Sequence, residues 1–350
     1  MLKLIVGGPV WLSILTGASL GRIGLLTLCL SAAGSAAPGA NAGDDNVPWQ
    51  EFDTLATRFV AQESPSGVLP FADPPGAKSA FRKVYLNYVP WLLLSLDNKP
   101  LNADFWSTPG KTIPAVPAPS DNPGAFFNTT PITLNQRPIS PQPWDSPFWR
   151  ERNLAIDIRR AQRIGADGFL LTLPQINQGP MWDAAVMLCR VATHVAPGFR
   201  VIIQPGMASL VGGKVQPAAL VDAIATLGAC PAADHLADGQ LVIGPWAAEL
   251  EPPEFWRAVM SGLAAKGVKT VLLPVLLSAS DDSAGKLAPL SYEMSYWAWS
   301  DVNSTAGPQA RHARDLLSSP FGRWMAPVRP QDVRPKQSIS GESENTTMFR

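Results

Sequence analysis

The sequence predicts an α/β chain of the (β/α)8 TIM-barrel type, built from about seven strands and stopping before the barrel closes. Three observations predict it. Beyond Phe81, apolar runs alternate with amphipathic segments, the signature of parallel βαβ units. From the second strand onward the repeat is about thirty to forty residues, the size of such a unit. No GxGxxG follows any strand, which removes the strongest case for an open dinucleotide-binding sheet.

The elements follow in order. Met1 to Ala42 reads as an export segment: Lys3 and Arg22 supply positive charge, Ile23 to Leu30 is apolar, and Ala40-Asn41-Ala42 is a small-x-small cleavage pattern. Cys29 follows Leu28 rather than the small residue of a lipoprotein site, so lipid anchoring is not expected. Residues 43–80 form an N-terminal extension, 81–335 the barrel domain and 336–350 a polar tail. The first strand lies in Lys83 to Leu96. The Pro-rich stretch 97–145 is then too long for an ordinary connection. A helix starts with Ser146 as N-cap and Pro147 at the first position, with Leu154, Ile158 and Ala161 inward and Arg152, Arg159 and Arg163 toward water.

Asp167-Gly-Phe-Leu-Leu-Thr-Leu-Pro174 is the second strand, Phe199 to Gln204 the third, Leu241 to Trp246 the fourth and Lys269 to Leu276 the fifth. The helices between them carry Ala185, Leu188, Cys189 and Ala192, then Leu220, Ile224 and Leu227, then Pro253 to about Lys266. A sixth strand spans Leu290 to Trp299, a helix follows near Gln309 to Leu317, and a seventh strand lies around Arg323 to Val328. Strand eight has no apolar run left to form it, which leaves strands one and seven as open edges.

Composition narrows the partners. The 350 residues are 46% hydrophobic and 16% charged, with Lys+Arg and Asp+Glu equal at 28 each. That balance argues against nucleic acid and against an anionic membrane surface, and suits a neutral partner such as a sugar polymer. The 12 tryptophans are in excess. Several stand at strand ends, where they serve either as sugar-stacking platforms or as ordinary packing. After export two cysteines remain, Cys189 and Cys230. They are either a disulfide, as an oxidising compartment invites, or two small buried hydrophobes.

Some apparent motifs carry no chemistry. Gly17-Ala-Ser-Leu-Gly21 matches a nucleophile elbow but lies in the export segment. Gly110-Lys111-Thr112 lacks the first glycine of a phosphate loop, since Phe105 stands there. His194, His235 and His312 are isolated, so neither a metal nor another cofactor is expected.

Seven segments in collinear order carry a family resemblance. They are Lys83-Val-Tyr-Leu-Asn-Tyr88 with Ser95-Leu-Asp-Asn-Lys-Pro100, Ile164-Gly-Ala-Asp-Gly-Phe169, Ala196-Pro-Gly-Phe-Arg-Val-Ile-Ile203 and Asp238-Gly-Gln-Leu-Val-Ile243. After these come Lys266-Gly-Val268 with Leu273-Pro-Val275, Ala288-Pro-Leu-Ser-Tyr292, and Pro327-Val-Arg-Pro-Gln-Asp-Val-Arg-Pro335. Together they resemble glycoside hydrolase family 71, the endo-α-1,3-glucanases or mutanases. The export segment implies a secreted or periplasmic protein, and the resemblance implies a (β/α) barrel and inverting hydrolysis of α-1,3-glucan by a carboxylic acid and a carboxylate.

It also implies an acidic pair in a Trp-Asn-Asp-x-x-Glu segment, and no Asp here is followed by Glu three positions later. Asn87 stands in place of an expected histidine, Thr172 and Gly206 in place of acids, and Ala247 in place of a lysine. The expectation is a glucanase-type barrel that is inactive or incomplete in this chain, or a non-catalytic exported glucan-binding protein. Glu249 and Glu293 are the carboxylates left for catalysis. Asn87, Tyr88, Asp97, Trp246, Tyr292, Trp297 and Trp299 are the expected substrate contacts.

Overall fold

The structure is a computed structural model, and it describes residues 46–62, 83–90, 98–100, 143–210, 215–277, 285–296, 325, 331–332 and 341–342. All of them belong to one compact unit, Asn41–Arg350. The expected strand 323–328 is described at Met325 alone, and the expected helix 309–317 lies outside the described residues.

Five parallel strands form one sheet in the order β1-β2-β3-β4-β5. They are β1 (Tyr85–Tyr88), β2 (Gly168–Leu173), β3 (Arg200–Pro205), β4 (Leu241–Ile243) and β5 (Thr270–Leu272). Strand and chain order coincide, so every new strand is added at the same edge. The central strands are buried on both faces, which is why β2 and β3 read as continuous apolar runs rather than as an alternation.

Alternation still sorts the two faces. Leu171, Leu173, Val201, Ile203, Leu241 and Leu272 join the core beneath the helices. Leu170, Ile202, Val242 and Leu273 form a second apolar cluster on the other face, with Tyr85, Val271 and Met325 packed against it.

The run expected as a single fifth strand is two. Pro274 has no N–H to give to a ladder, and the pairing breaks there. It resumes as β6 (Val275–Leu276), which pairs in parallel with β7 (Ser295–Tyr296). Trp246 and Val275 are bridged, so β6 continues beside the end of β4. Met325 comes next in line: its N–H donates to the Met294 carbonyl at 2.9 Å, and its carbonyl accepts from Ser295 Oγ at 2.7 Å. A separate antiparallel pair joins β8 (Gln331–Asp332) and β9 (Gly341–Glu342).

The helices are α1 (Trp49–Gln62), α2 (Trp149–Arg163), α3 (Pro180–Val195), α4 (Met207–Leu210), α5 (Pro217–Gly228) and α6 (Pro253–Ala265). Helix α2 starts two residues later than its sequence suggests. Ser146 Oγ accepts from Phe148 N–H at 3.1 Å in a local turn, and Phe148 occupies the cap. The three arginines expected to face water face α1 instead. Arg152 pairs with Glu51, Arg159 with Asp53, and Arg163 donates to the Val60 carbonyl. Phe52, Ala56 and Val60 of α1 are buried, so this helix of the N-terminal extension is part of the core.

Cys189 near the end of α3 and Cys230 just past α5 form a disulfide, with Cα atoms 6.3 Å apart. That separation is the ordinary one for such a bond.

Candidate functional site at the strand ends

Near the carboxyl ends of β1, β2 and β3, three neutral polar side chains stand side by side. Thr172 and Gln204 are register partners, and Asn87 lies beside Leu170, one pleat below Thr172 on the same face. Thr172 Oγ1 is 2.6 Å from Gln204 Oε1 and 3.1 Å from Asn87 Oδ1. Asn87 is exposed, while Gln204 is 0% exposed. Beneath them lie Leu170 and Ile202. At the equivalent level of β4 is Gly244, where a Cβ would come within 2.9 Å of Ile202 Cγ2. The ladder therefore runs from solvent into an apolar floor across three strands.

Three described non-glycine residues that follow strands are held left-handed. Among the described residues, the non-glycine residues with positive φ are Asn98 (51°), Asn177 (64°) and Ala247 (57°). All three follow strands: Asn98 after β1, Asn177 between β2 and α3, Ala247 after β4. Turns entering strands use glycine for the same need, at Gly165, Gly239 and Gly267. An alanine held left-handed costs about 1–2 kcal/mol, which glycine would avoid. Ala247 is nevertheless buried, its N–H donating to the Val275 carbonyl at 2.7 Å. Glycine serves after β2 as well, at Gly179 with φ 94°, and asparagine visits the left-handed region readily, so Ala247 is the strained position of this set.

No protein-family model and no curated protein matches this sequence.

The expected ligand residues divide by where the strands place them. Trp246 bridges Gly206 and Val275 at the carboxyl ends and packs partly buried against both apolar clusters. Tyr88 is turned the other way. It stacks on Phe169 at 4.4 Å and its hydroxyl donates to Asp157 of α2 at 2.8 Å, so it belongs to the helix side. Burial and the Asp157 carboxylate push its phenol well above the ordinary value.

Tyr292 does not stand at a strand exit. The chain turns through a 3-10 helix at Ala288–Leu290 and reaches β7 only at Ser295. Tyr292 thus donates its N–H to the Leu272 carbonyl, alongside β5. Asp97, Trp297 and Trp299 lie outside the described residues.

Of the two expected carboxylates, Glu249 is engaged beyond β4, and Glu293 lies between the 3-10 turn Ala288–Leu290 and β7. Glu249 Oε1 accepts from Leu277 N–H at 2.7 Å, bracing the 3-10 turn Ala248–Leu250 against the end of β6. Trp256 of α6 fixes that turn from behind, its indole N–H donating to the Ala248 carbonyl at 3.0 Å. The charge of Glu293 acts on Tyr85, at the start of β1. Sequence reading missed Glu251, another carboxylate near Glu249, whose pKa is raised by partial burial.

It also missed the opposite face. There Asp234 takes Lys83 Nζ at 2.9 Å and the Tyr85 hydroxyl at 2.6 Å. Among the described residues no group of three His, Cys, Asp or Glu could hold a metal, and no helix is long and apolar enough to cross a membrane.

Proposed function

We propose that this chain is an exported (β/α)-barrel protein of the α-1,3-glucan-hydrolase type, similar to glycoside hydrolase family 71, that binds α-1,3-glucan at the carboxyl ends of its strands. The neutral ladder Asn87–Thr172–Gln204 carries this reading. Amides and a hydroxyl match the donors and acceptors of a neutral polyol, and the resemblance implies a histidine at Asn87 and an acid at Thr172. The partly buried Trp246 beside them suits the C–H face of a sugar ring.

Two features support a barrel over an open doubly wound sheet. Strands are added in chain order with no reversal, and right-handed crossovers then put every helix on one side. Residues from the first strand and from the seventh position, Tyr85 and Met325, pack against one apolar cluster on the face away from the helices. The Cys189–Cys230 bond supports an oxidising compartment outside the cytoplasm.

Co-sedimentation with insoluble α-1,3-glucan tests the proposal, with cellulose as comparator and reducing-end release measured in the same tubes. The expected outcome is depletion of the protein by α-1,3-glucan and not by cellulose, with reducing ends at background. No depletion by α-1,3-glucan overturns the glucan reading. Release of reducing ends makes the chain a hydrolase and replaces binding alone.

A further inference from the structure

The ladder has a direction, and its buried end sets it. Thr172 has one hydroxyl proton and two amide groups within reach. The 2.6 Å separation from Gln204 Oε1 suits O–H···O, and the 3.1 Å separation from Asn87 suits N–H···O. Amide oxygen and nitrogen are interchangeable in placement, so the Asn87 nitrogen belongs on the Thr172 side. We infer that Gln204 is a positioning residue that takes the Thr172 proton, draws the Asn87 amide nitrogen inward, and leaves the Asn87 carbonyl oxygen facing solvent as an acceptor for a ligand hydroxyl.

That placement of Gln204 has a cost. With its Oε1 turned to Thr172, the 0% exposed Gln204 leaves its Nε2 without a hydrogen-bond partner among the described residues. A buried donor left unmade opposes folding, and a leucine of similar volume would not carry it. A group kept against stability is expected where it serves something besides the core. An outward carbonyl accepts from O–H and repels carboxylate or phosphate. The site is therefore selective for hydroxyls of a neutral polyol over anionic sugars. The ligand identity rests on the glucan reading above, while the proton direction does not.

The test titrates the exported chain with a soluble α-1,3-linked glucose oligosaccharide. Gln204→Glu keeps an acceptor for Thr172 while its carboxyl is ionised and becomes a donor once protonated, so its affinity should stay near the parent at high pH and fall as pH is lowered. Gln204→Leu frees Thr172 to donate to Asn87, which turns the carbonyl inward, and should weaken binding about ten-fold or more. The melting temperature of Gln204→Leu should be equal or higher, the opposite of a merely structural role. Unchanged oligosaccharide binding in Gln204→Leu, or a loss of both binding and stability in it, overturns the inference.

If the parent chain binds no oligosaccharide the glucan reading fails, and NMR decides the proton direction alone. A cross-peak between the Asn87 side-chain amide protons and the Thr172 hydroxyl proton is expected. A cross-peak from that proton to the Gln204 amide protons, with none to Asn87, overturns it.

Discussion

A Cβ on Gly168 would lie 2.2 Å from the Arg200 carbonyl oxygen and 2.8 Å from Tyr85 Cε1. Glycine is what lets the Tyr85 ring cross β2 and reach Asp234 on the far side of it. Burial, then the Asp234 charge and hydrogen bond, hold the Tyr85 phenol far above its ordinary value. Tyr88 is raised too, by burial and by Asp157. Both phenols keep their protons in the folded state at a pH where the unfolded chain gives them up. Their contribution is thus complete below the ordinary tyrosine pKa of about 10 and is lost as pH rises above it. The urea midpoint should fall between about pH 9.5 and 11, and fall less steeply in Tyr85→Phe/Tyr88→Phe. Equal slopes in parent and variant would remove these two residues as the cause. At this scale little was legible. Tyr85 and Asp234 are 149 positions apart, and nothing local pairs them. Tyr88 was read as a ligand because alternation within a four-residue strand leaves its facing open until the register is known.

Elements were more legible than residues. Helix α5 runs from Pro217 to Gly228 as its sequence marks it, since proline at the start and glycine at the end act locally. Breaks within strands were not, because Pro274 interrupts a run whose apolar pattern continues across it. The arginine face of α2 was misread for a different reason. Charged residues at helical spacing look the same whether water or another helix covers them, and here α1 supplies the carboxylates. The disulfide ties α3 to the segment that leads from α5 to Asp234. Its partners are 41 residues apart, and closing such a loop restricts the unfolded chain by about 4 kcal/mol in the chain-entropy view. Cys189→Ser/Cys230→Ser should lose stability of that order in urea unfolding at neutral pH. An unchanged midpoint, or two free thiols in the exported protein by mass spectrometry, would contradict the bond's role.

Across the whole molecule, the parallel order of the strands was legible because each βαβ unit announces itself by period and length. The site was legible only in part. Sequence placed Asn87, Thr172, Gly206 and Trp246 at strand ends, but it could not show that Asn87 and Thr172 join Gln204 in one ladder. Gln204 drew no notice, since a single amide ending an apolar strand reads as its boundary. The two sheet ends differ in what they present. One holds the neutral ladder, with the Glu249 and Glu251 carboxylates beyond β4 and the left-handed Ala247; the other holds Lys83, Asp234, Tyr85 and the Asp167 carboxylate on Val84 N–H at 2.8 Å. Amide chemical-shift mapping on the exported chain decides which end meets the ligand. On saturation with a soluble α-1,3-linked glucose oligosaccharide, the account predicts shifts at Asn87, Thr172, Gly206 and Trp246, with Lys83, Tyr85 and Asp234 unmoved. Shifts confined to Lys83, Tyr85 and Asp234, or no shift anywhere at saturating oligosaccharide, would contradict it.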